Sequence, residues 1–319
     1  MLEPRPIGGP VPGAPEPGVP EPGAPDELVE FGVEVRSQWR LVLGRFLRHR
    51  LALGSMFVLA VLVVVAFAGA HLSRHQYGVP GADLSRPPSI HHWFGTNELG
   101  IDTFAQVQRG AQRSIEVAFL VAFLSTTFGS IVGALAGFYR GWIDAALMRL
   151  TDLFLTIPTL AVLLVVAARY RTSRNSWLPI VIIIAAFTWM PLARLVRGVT
   201  LSLREREFVE AARAVGASNS RIIFRHILPN ALGPIIVNAT LVVAGAILVE
   251  TALSFLGFGV QPPDVSLGLL ISNGVSAANT RWWLFYPPGF FLLLFCLAVN
   301  FVGDGLRDAF DPQQTRVRA

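Results

Sequence analysis

The sequence predicts an all-α integral membrane protein with six transmembrane helices and both termini in the cytoplasm. Three observations predict it: a deficit of charge, six long uncharged runs, and the placement of arginine. Of 319 residues, 53% are apolar and 15% charged, with a mean hydropathy of +0.54. A soluble domain carries about 25% charged residues, so this chain lacks the charge to cover a water-facing surface. A helix needs about 20 apolar residues to cross a bilayer. Residues 51–70, 117–139, 153–168, 175–193, 226–249 and 282–303 each contain no Asp, Glu or Arg. Six such runs in one chain of this size cannot be shielded by the remaining residues.

The third run is short unless it begins near Ile143, which brings Arg149 and Asp152 into its first turns. Those two sit at i, i+3 and are read as a structural pair near the cytoplasmic face. The fifth run extends past Glu250 to about Leu256. With the N-terminus inside, and leaving aside Arg5 in the tail, the inner segments hold 16 Arg, seven of them from Arg194 to Arg225, against eight in the outer segments. That bias sets the orientation, although Arg169, Arg171 and Arg174 oppose it locally. On the second run, Gly129, Gly133 and Gly137 repeat every four residues, with Ala118 and Ala122 on nearly the same face. Small residues at that spacing predict a close helix–helix seam.

The chain divides into a tail, 1–35, a middle part, 36–110, and a core, 111–319. The first 25 residues hold nine Pro and five Gly. They bury nothing and are read as disordered, either a solvated tail or a binding arm. They lack the basic stretch and apolar core of a signal peptide. The middle part has a basic helix leading into the first span, then an outer segment.

Composition excludes several chemistries. All 26 basic residues are Arg, which removes Walker-type phosphate loops and Schiff-base chemistry. The single Cys296 makes no internal disulfide or Cys-rich metal site and reads as packing. The pI of 10.3 is accounted for by arginine at membrane edges, and no nucleic-acid module is recognisable. His71 and His75, and the adjacent His91 and His92, have only Asp83 as an acidic neighbour in sequence. They read as loop or interfacial histidines, and no metal site is expected. No nucleophile and base, or pair of carboxylates, stands at matched depth, so no catalytic residue is assigned. Glu250 lies inside a span, where an ionisable residue is costly. It either lines a pathway or hydrogen-bonds structurally between helices. A proton-coupled secondary transporter with Glu250 as relay is the alternative function, although the inverted repeats and interrupted helices it predicts are not evident.

Between the fourth and fifth spans lies a soluble segment, about 200–229. Phe208, Ala211, Ala212 and Val215 fall at i, i+3, i+4, i+7, one apolar stripe of a short helix. Charged residues crowd the remaining surface, with Arg206 and Glu210 at i, i+4. Gly216 suits a left-handed helix end, Ser218 the cap of a second helix, and Pro229 the return to the membrane. The segment is either an amphipathic helix lying on the bilayer or a docking element for a soluble partner.

The order Glu210-Ala211-Ala212, three residues, Gly216, then Leu228-Pro229 resembles the coupling loop of permease subunits of ATP-binding-cassette importers. His226 stands where that pattern has Ile. The resemblance extends to Arg45-Phe46, Arg48 and Arg50-Leu51-Ala52-Leu53, to Phe94 through Gly100 with Asp102, to Ser254 through Pro263, and to Gly303 through Asp308. These segments resemble the C-type subunit of dipeptide and oligopeptide permeases, with Ile101 and Leu267 replacing a usual Arg and Trp. The resemblance implies a type I importer architecture in a prokaryotic plasma (inner) membrane. It also implies a second homologous permease, two cytoplasmic ATPases that bind ATP and Mg, an extracytoplasmic binding protein, and peptide substrates. No cofactor is implied in this chain, and no enzymatic activity. Phe208, Glu210, Ala211, Ala212, Gly216, Leu228 and Pro229 would dock the ATPase.

Overall fold

A computed structural model describes residues 38–69, 75–170 and 177–311. The expectations for the tail 1–35, for His71, for Arg171 and Arg174, and for the terminus after residue 311 lie outside the described residues. Helices α1 (Gln38–Phe46) and α2 (Arg50–Phe67) are separated at His49, whose imidazole accepts the Ala52 N–H at 3.1 Å and caps α2. Residues 75–102 fold into turns. Gly95 and Gly100, with φ of +67° and +71°, supply the left-handed positions these turns require.

Helix α3 (Thr103–Tyr139) has 37 residues. It starts 14 residues before the expected span, because its charged first turns are satisfied. Asp102 accepts the Ala105 N–H at 2.8 Å as N-cap. Arg109 and Arg113 both donate to Asp264, at 2.8 and 2.6 Å. At 1.5 Å per residue α3 is about 55 Å long, well beyond a hydrocarbon core of about 30 Å. The expected division at residue 110 falls inside this continuous helix.

The third and fourth spans are each broken. α4 (Gly141–Thr156) and α5 (Thr159–Tyr170) meet at 80°. Pro158 explains the break: the residue before a proline is driven to extended backbone, and Ile157 has φ −81°, ψ 131°. α6 (Trp177–Thr188) and α7 (Met190–Leu203) meet at 42°, with Pro191 in the first turn of α7. An elbow described below begins with α8 (Glu207–Ala214), and α9 (Leu232–Phe255), α10 (Leu267–Gly274) and α11 (Tyr286–Phe310) follow it. Among the described residues four helices are long and apolar enough to cross a membrane, and the two bent pairs bring the number to six.

The glycine seam forms between α3 and α7. A Cβ on Gly129 would lie 2.7 Å from the Trp189 carbonyl, and one on Gly137 2.8 Å from that of Arg197; on Gly133 it would press into the carbonyl of Ala193. Two carboxylates of α4 fasten it to the same helix: Asp144 accepts both Nε and an Nη of Arg197, at 2.5 and 2.6 Å, and Asp152 pairs with Arg194. The expected pairing of Asp152 with Arg149 is therefore corrected. Arg149 is exposed, while α7 brings a second guanidinium to Asp152 that bridges two helices. In the segment Gly303 to Asp308, Gly303 faces Thr240 of α9 and Gly305 faces Ala52 of α2, so these glycines let three helices meet closely.

Candidate functional site

The elbow starts where α7 ends. The Arg204 N–H closes α7 on the Thr200 carbonyl, and its guanidinium donates to the carbonyl of Phe138 in the last turn of α3. Arg204 and Arg213 both lie over the Phe138 ring, 5.6 and 5.7 Å from its centre. Burial, then the neighbouring Arg140 and Arg213 charges, push the Arg204 pKa below its ordinary value, with Glu205 opposing. Glu205 pairs with Arg140 at 2.5 Å. That is the ion pair of the described residues here, rather than the expected Arg206–Glu210.

The α8 helix carries Glu207 and Glu210 in its first turn and Arg213 in its last, as the helix dipole favours. It ends in a Schellman arrangement: Ala217 N–H donates to Ala212 O at 3.0 Å, and Gly216 N–H to Arg213 O at 2.9 Å. Gly216 has φ +78°. Ser218 then caps the second arm, accepting the Arg221 N–H at 3.4 Å. Residues Ile222–Ile227 form a π-helical turn, with the Leu228 N–H reaching back to Ile223 O. Such turns are often functional. Leu228 and Pro229 follow in a last short turn leading into α9.

The apolar stripe predicted from periodicity is divided in two. Ala212 turns inward with Val209, and both are buried with Ile222, Ile223 and Ile227 against Ala134 and Phe138 of α3 and Leu192 and Val196 of α7. Burying each large aliphatic side chain contributes about 1.5–3 kcal/mol, which holds the elbow rigidly to the bundle. Phe208, Val215 and Phe224 remain 38%, 84% and 52% exposed, with Glu210 and Ala211 exposed beside them. Val209 and Ala212, at i and i+3, are the edge of α8 that faces the bundle, which leaves Phe208 and Ala211 outside. α8 stops at Ala214, so the projection never reaches Val215. Val209, Ile222, Ile223 and Ile227 were missed by sequence reasoning, although their spacing was readable.

Glu250 is enclosed, 0% exposed. Its carboxylate accepts the hydroxyls of Ser114 on α3 at 2.9 Å and of Ser254 at 2.6 Å. Ser254 accepts in turn from Ser266 at 3.0 Å and from the Val260 N–H at 3.2 Å. The Ser114 oxygen also accepts the Leu267 N–H at 3.3 Å. The network ties α3, α9 and α10 together, which is the interhelical hydrogen bonding that the structural reading of Glu250 expects. At the far end of α3 the structure also gathers His75, His92 and Asp102, with their donor atoms within 4.8 Å of one another. Sequence distance had separated them.

Residues 129–316 match the profile of the family described as binding-protein-dependent transport system inner membrane component. The chain belongs to that family. Residues 37–88 match the N-terminal transmembrane domain of oligopeptide transport permease C. The oligopeptide transport system permease protein OppC of Mycobacterium tuberculosis is 45% identical over 286 residues, 89% of this chain and 98% of the relative. OppC of Escherichia coli is 40% identical, covering 88% and 93%. The dipeptide transport system permease protein DppC of Bacillus subtilis is 36% identical, covering 88% and 86%. Among solved structures, the MetNI methionine ABC transporter in inward-facing conformation matches with a TM-score of 0.52 and 20% identity. That match spans 65% of this chain and 97% of the other, and shows the type I importer permease fold. The chain is thus a multi-pass permease component of the inner membrane. It works with ATPase subunits, which carry the nucleotide chemistry, and with further permease subunits.

Proposed function

We propose that this chain is one of two permease subunits of a peptide importer, and that the 207–230 elbow is the surface on which one of two cytoplasmic ATPases docks. The carrying observation is the pairing of an exposed apolar face, Phe208, Val215 and Phe224, with an inner face bolted to α3 and α7. An exposed apolar patch on a well-anchored element marks an interaction surface. The charged flank of Arg206, Glu207, Glu210 and Arg213 sets register and partner choice. The seven arginines from Arg194 to Arg225 support a cytoplasmic position for this end and for both termini. ATP and Mg then bind the partner ATPases, and this chain carries no cofactor for transport. The OppC and DppC relatives support dipeptides or oligopeptides as cargo, delivered by an extracytoplasmic binding protein. ATPase closure moves the elbow, and the bundle follows as a rigid body to give alternating access.

The test is affinity purification of the assembled transporter in mild detergent, with peptide uptake measured after reconstitution. Phe208→Ser with Val215→Ser removes exposed apolar area only. The pair is expected to lose co-purifying ATPase and ATP-driven uptake while the chain still inserts and retains the second permease. Full ATPase association in the double variant would remove the docking assignment. Uptake by the chain alone on a proton gradient would remove the importer reading.

A further inference from the structure

At the end of α3 opposite the elbow, about 55 Å away along the helix, a second constellation has no part in ATPase docking. We propose that His75, His92 and Asp102 bind one divalent transition-metal ion of the zinc class. The donor set is two imidazoles and one carboxylate, which suits zinc, nickel, cobalt or copper rather than magnesium or calcium. Three protein ligands with one open position is the arrangement of an accessible zinc site.

The spacing fits. Metal–nitrogen and metal–oxygen bonds of about 2.0–2.2 Å in a tetrahedron place donors about 3.4 Å apart. His92 Nδ1 lies 2.7 Å and His75 Nδ1 3.8 Å from Asp102 Oδ2, on either side of that value. The two imidazole rings face each other at 4.6 Å between centres. Small side-chain shifts bring all three donors to one point. The surroundings fit as well. Asp102 Oδ1 is committed to the Ala105 N–H as the cap of α3, which orients the carboxylate and turns Oδ2 to the histidines, where the ion would replace its 2.7 Å hydrogen bond with His92 Nδ1. His92 Nε2 lies 3.6 Å from Asp83 Oδ2, so the ring nitrogen that would not touch metal is aimed at a carboxylate. Metal-bound histidines characteristically have such a partner. Asp102 is buried and His75 is exposed, which leaves a route in. A cavity of ≈ 460 Å³ lined by His75, Asp83, His92 and Asp102 opens there, with room for the ion and a water.

The three ligands come from separate pieces of chain: the stretch just after α2, the turn before Phe94, and the N-cap of α3. An ion there would lock the α2–α3 connection onto the first turn of the longest helix.

The experiment uses the full-length chain in detergent, stripped with a chelator and titrated with Co2+ alone, then challenged with Zn2+. One Co2+ per chain is expected, with the visible absorption of a tetrahedral site that Zn2+ abolishes. His75→Ala and His92→Ala are expected to raise the dissociation constant at least about tenfold. Asp102→Asn is expected to do the same while the helix stays capped, because Asn caps as well as Asp. It serves as the variant whose fold is preserved. His91→Ala and His226→Ala leave binding unchanged. Zn2+ raises the melting temperature of the wild type and not that of Asp102→Asn. Uptake below one ion per chain overturns the proposal, and so does uptake that the three ligand variants leave unaltered.

Discussion

Gly216 offers the sharpest test of the elbow, because the structure isolates a single cause. Its φ is +78°, and a Cβ added there would meet nothing within 4 Å. The cost of a side chain is therefore backbone strain alone. Holding an L-residue in the left-handed region costs about 1–2 kcal/mol, a factor of roughly 5–30 in the population of the closed elbow. Asn tolerates this region better than other side chains and also ends helices in this way. Proline adds two failures: its φ is fixed near −65°, and it removes the N–H that donates to Arg213 O at 2.9 Å. The expected order of ATP-driven uptake in reconstituted transporter is Gly216, then Gly216→Asn, then Gly216→Ala, with Gly216→Pro uncoupled. Insertion is unaffected, because Gly216 is exposed and outside every span. ATPase association is expected to follow the same order. Wild-type uptake by Gly216→Pro, or a worse outcome for Ala than for Pro, would refute the reasoning.

Two further predictions concern the helices that carry the elbow. Gly133→Ala places a methyl against the Ala193 carbonyl and 2.9 Å from the Val196 Cβ, so α3 and α7 must part. Overpacking of this kind costs about 1–3 kcal/mol, whereas Gly245→Ala in α9 meets nothing within 4 Å and gains about 0.5–1 kcal/mol from helix propensity. Thermal unfolding of the two variants in detergent compares them directly, and equal melting temperatures would show that the seam is not close-packed. Glu250→Leu strands the hydroxyls of Ser114 and Ser254, at about 1–3 kcal/mol each. Glu250→Gln keeps one acceptor, and the hydroxyl protons can turn to suit it. Uptake is expected to track stability in both; loss of uptake in a stable Glu250→Gln protein would put the carboxylate on the pathway after all.

Much of this molecule was readable from one sequence, and what was not has specific causes. The glycine register at 129, 133 and 137 predicted a close helix–helix seam, and the structure supplies its partner, α7. The spans were legible as uncharged runs, but the breaks were not. Pro158 and Pro191 lay inside those runs, and apolar length outweighed the backbone restriction each imposes. The start of α3 was hidden because Arg109 and Arg113 looked like a span boundary, while Asp264, their partner 155 and 151 residues later, had no local signal. Long-range pairing explains the Asp152 correction in the same way. A neighbour at i−3 was visible in sequence, and Arg194 on another helix was not. His75, His92 and Asp102 are scattered over 28 positions, and only the turns after α2 bring them together. At the elbow, Gly216 and Ser218 did what their residue types predict. The partition of its apolar residues depended on Val209 and Ala212 being the edge of α8 that faces α3 and α7, and on α8 ending one residue before Val215.

How a push on the elbow reaches the membrane follows from where the stiff connections are. α7 leads straight into the elbow, and α3 is pressed onto α7 at three glycines with no side chain between the backbones. α4 is bound to α7 by Asp144–Arg197 and Asp152–Arg194. Phe138 at the end of α3 is held under both Arg204 and Arg213. These contacts leave α3, α4 and α7 little freedom to slide past one another, so displacement of Phe208 or Val215 carries all three. At the far side Glu250 extends the unit from α3 to α9 and α10 through Ser114, Ser254 and Ser266. The compliant points are the two proline breaks, 80° between α4 and α5 and 42° between α6 and α7. Each lacks the continuous backbone ladder that would transmit bending. A motor acting on the elbow would therefore swing the glycine-sealed unit about those breaks, and softening the seam should damage transport even where docking stays intact.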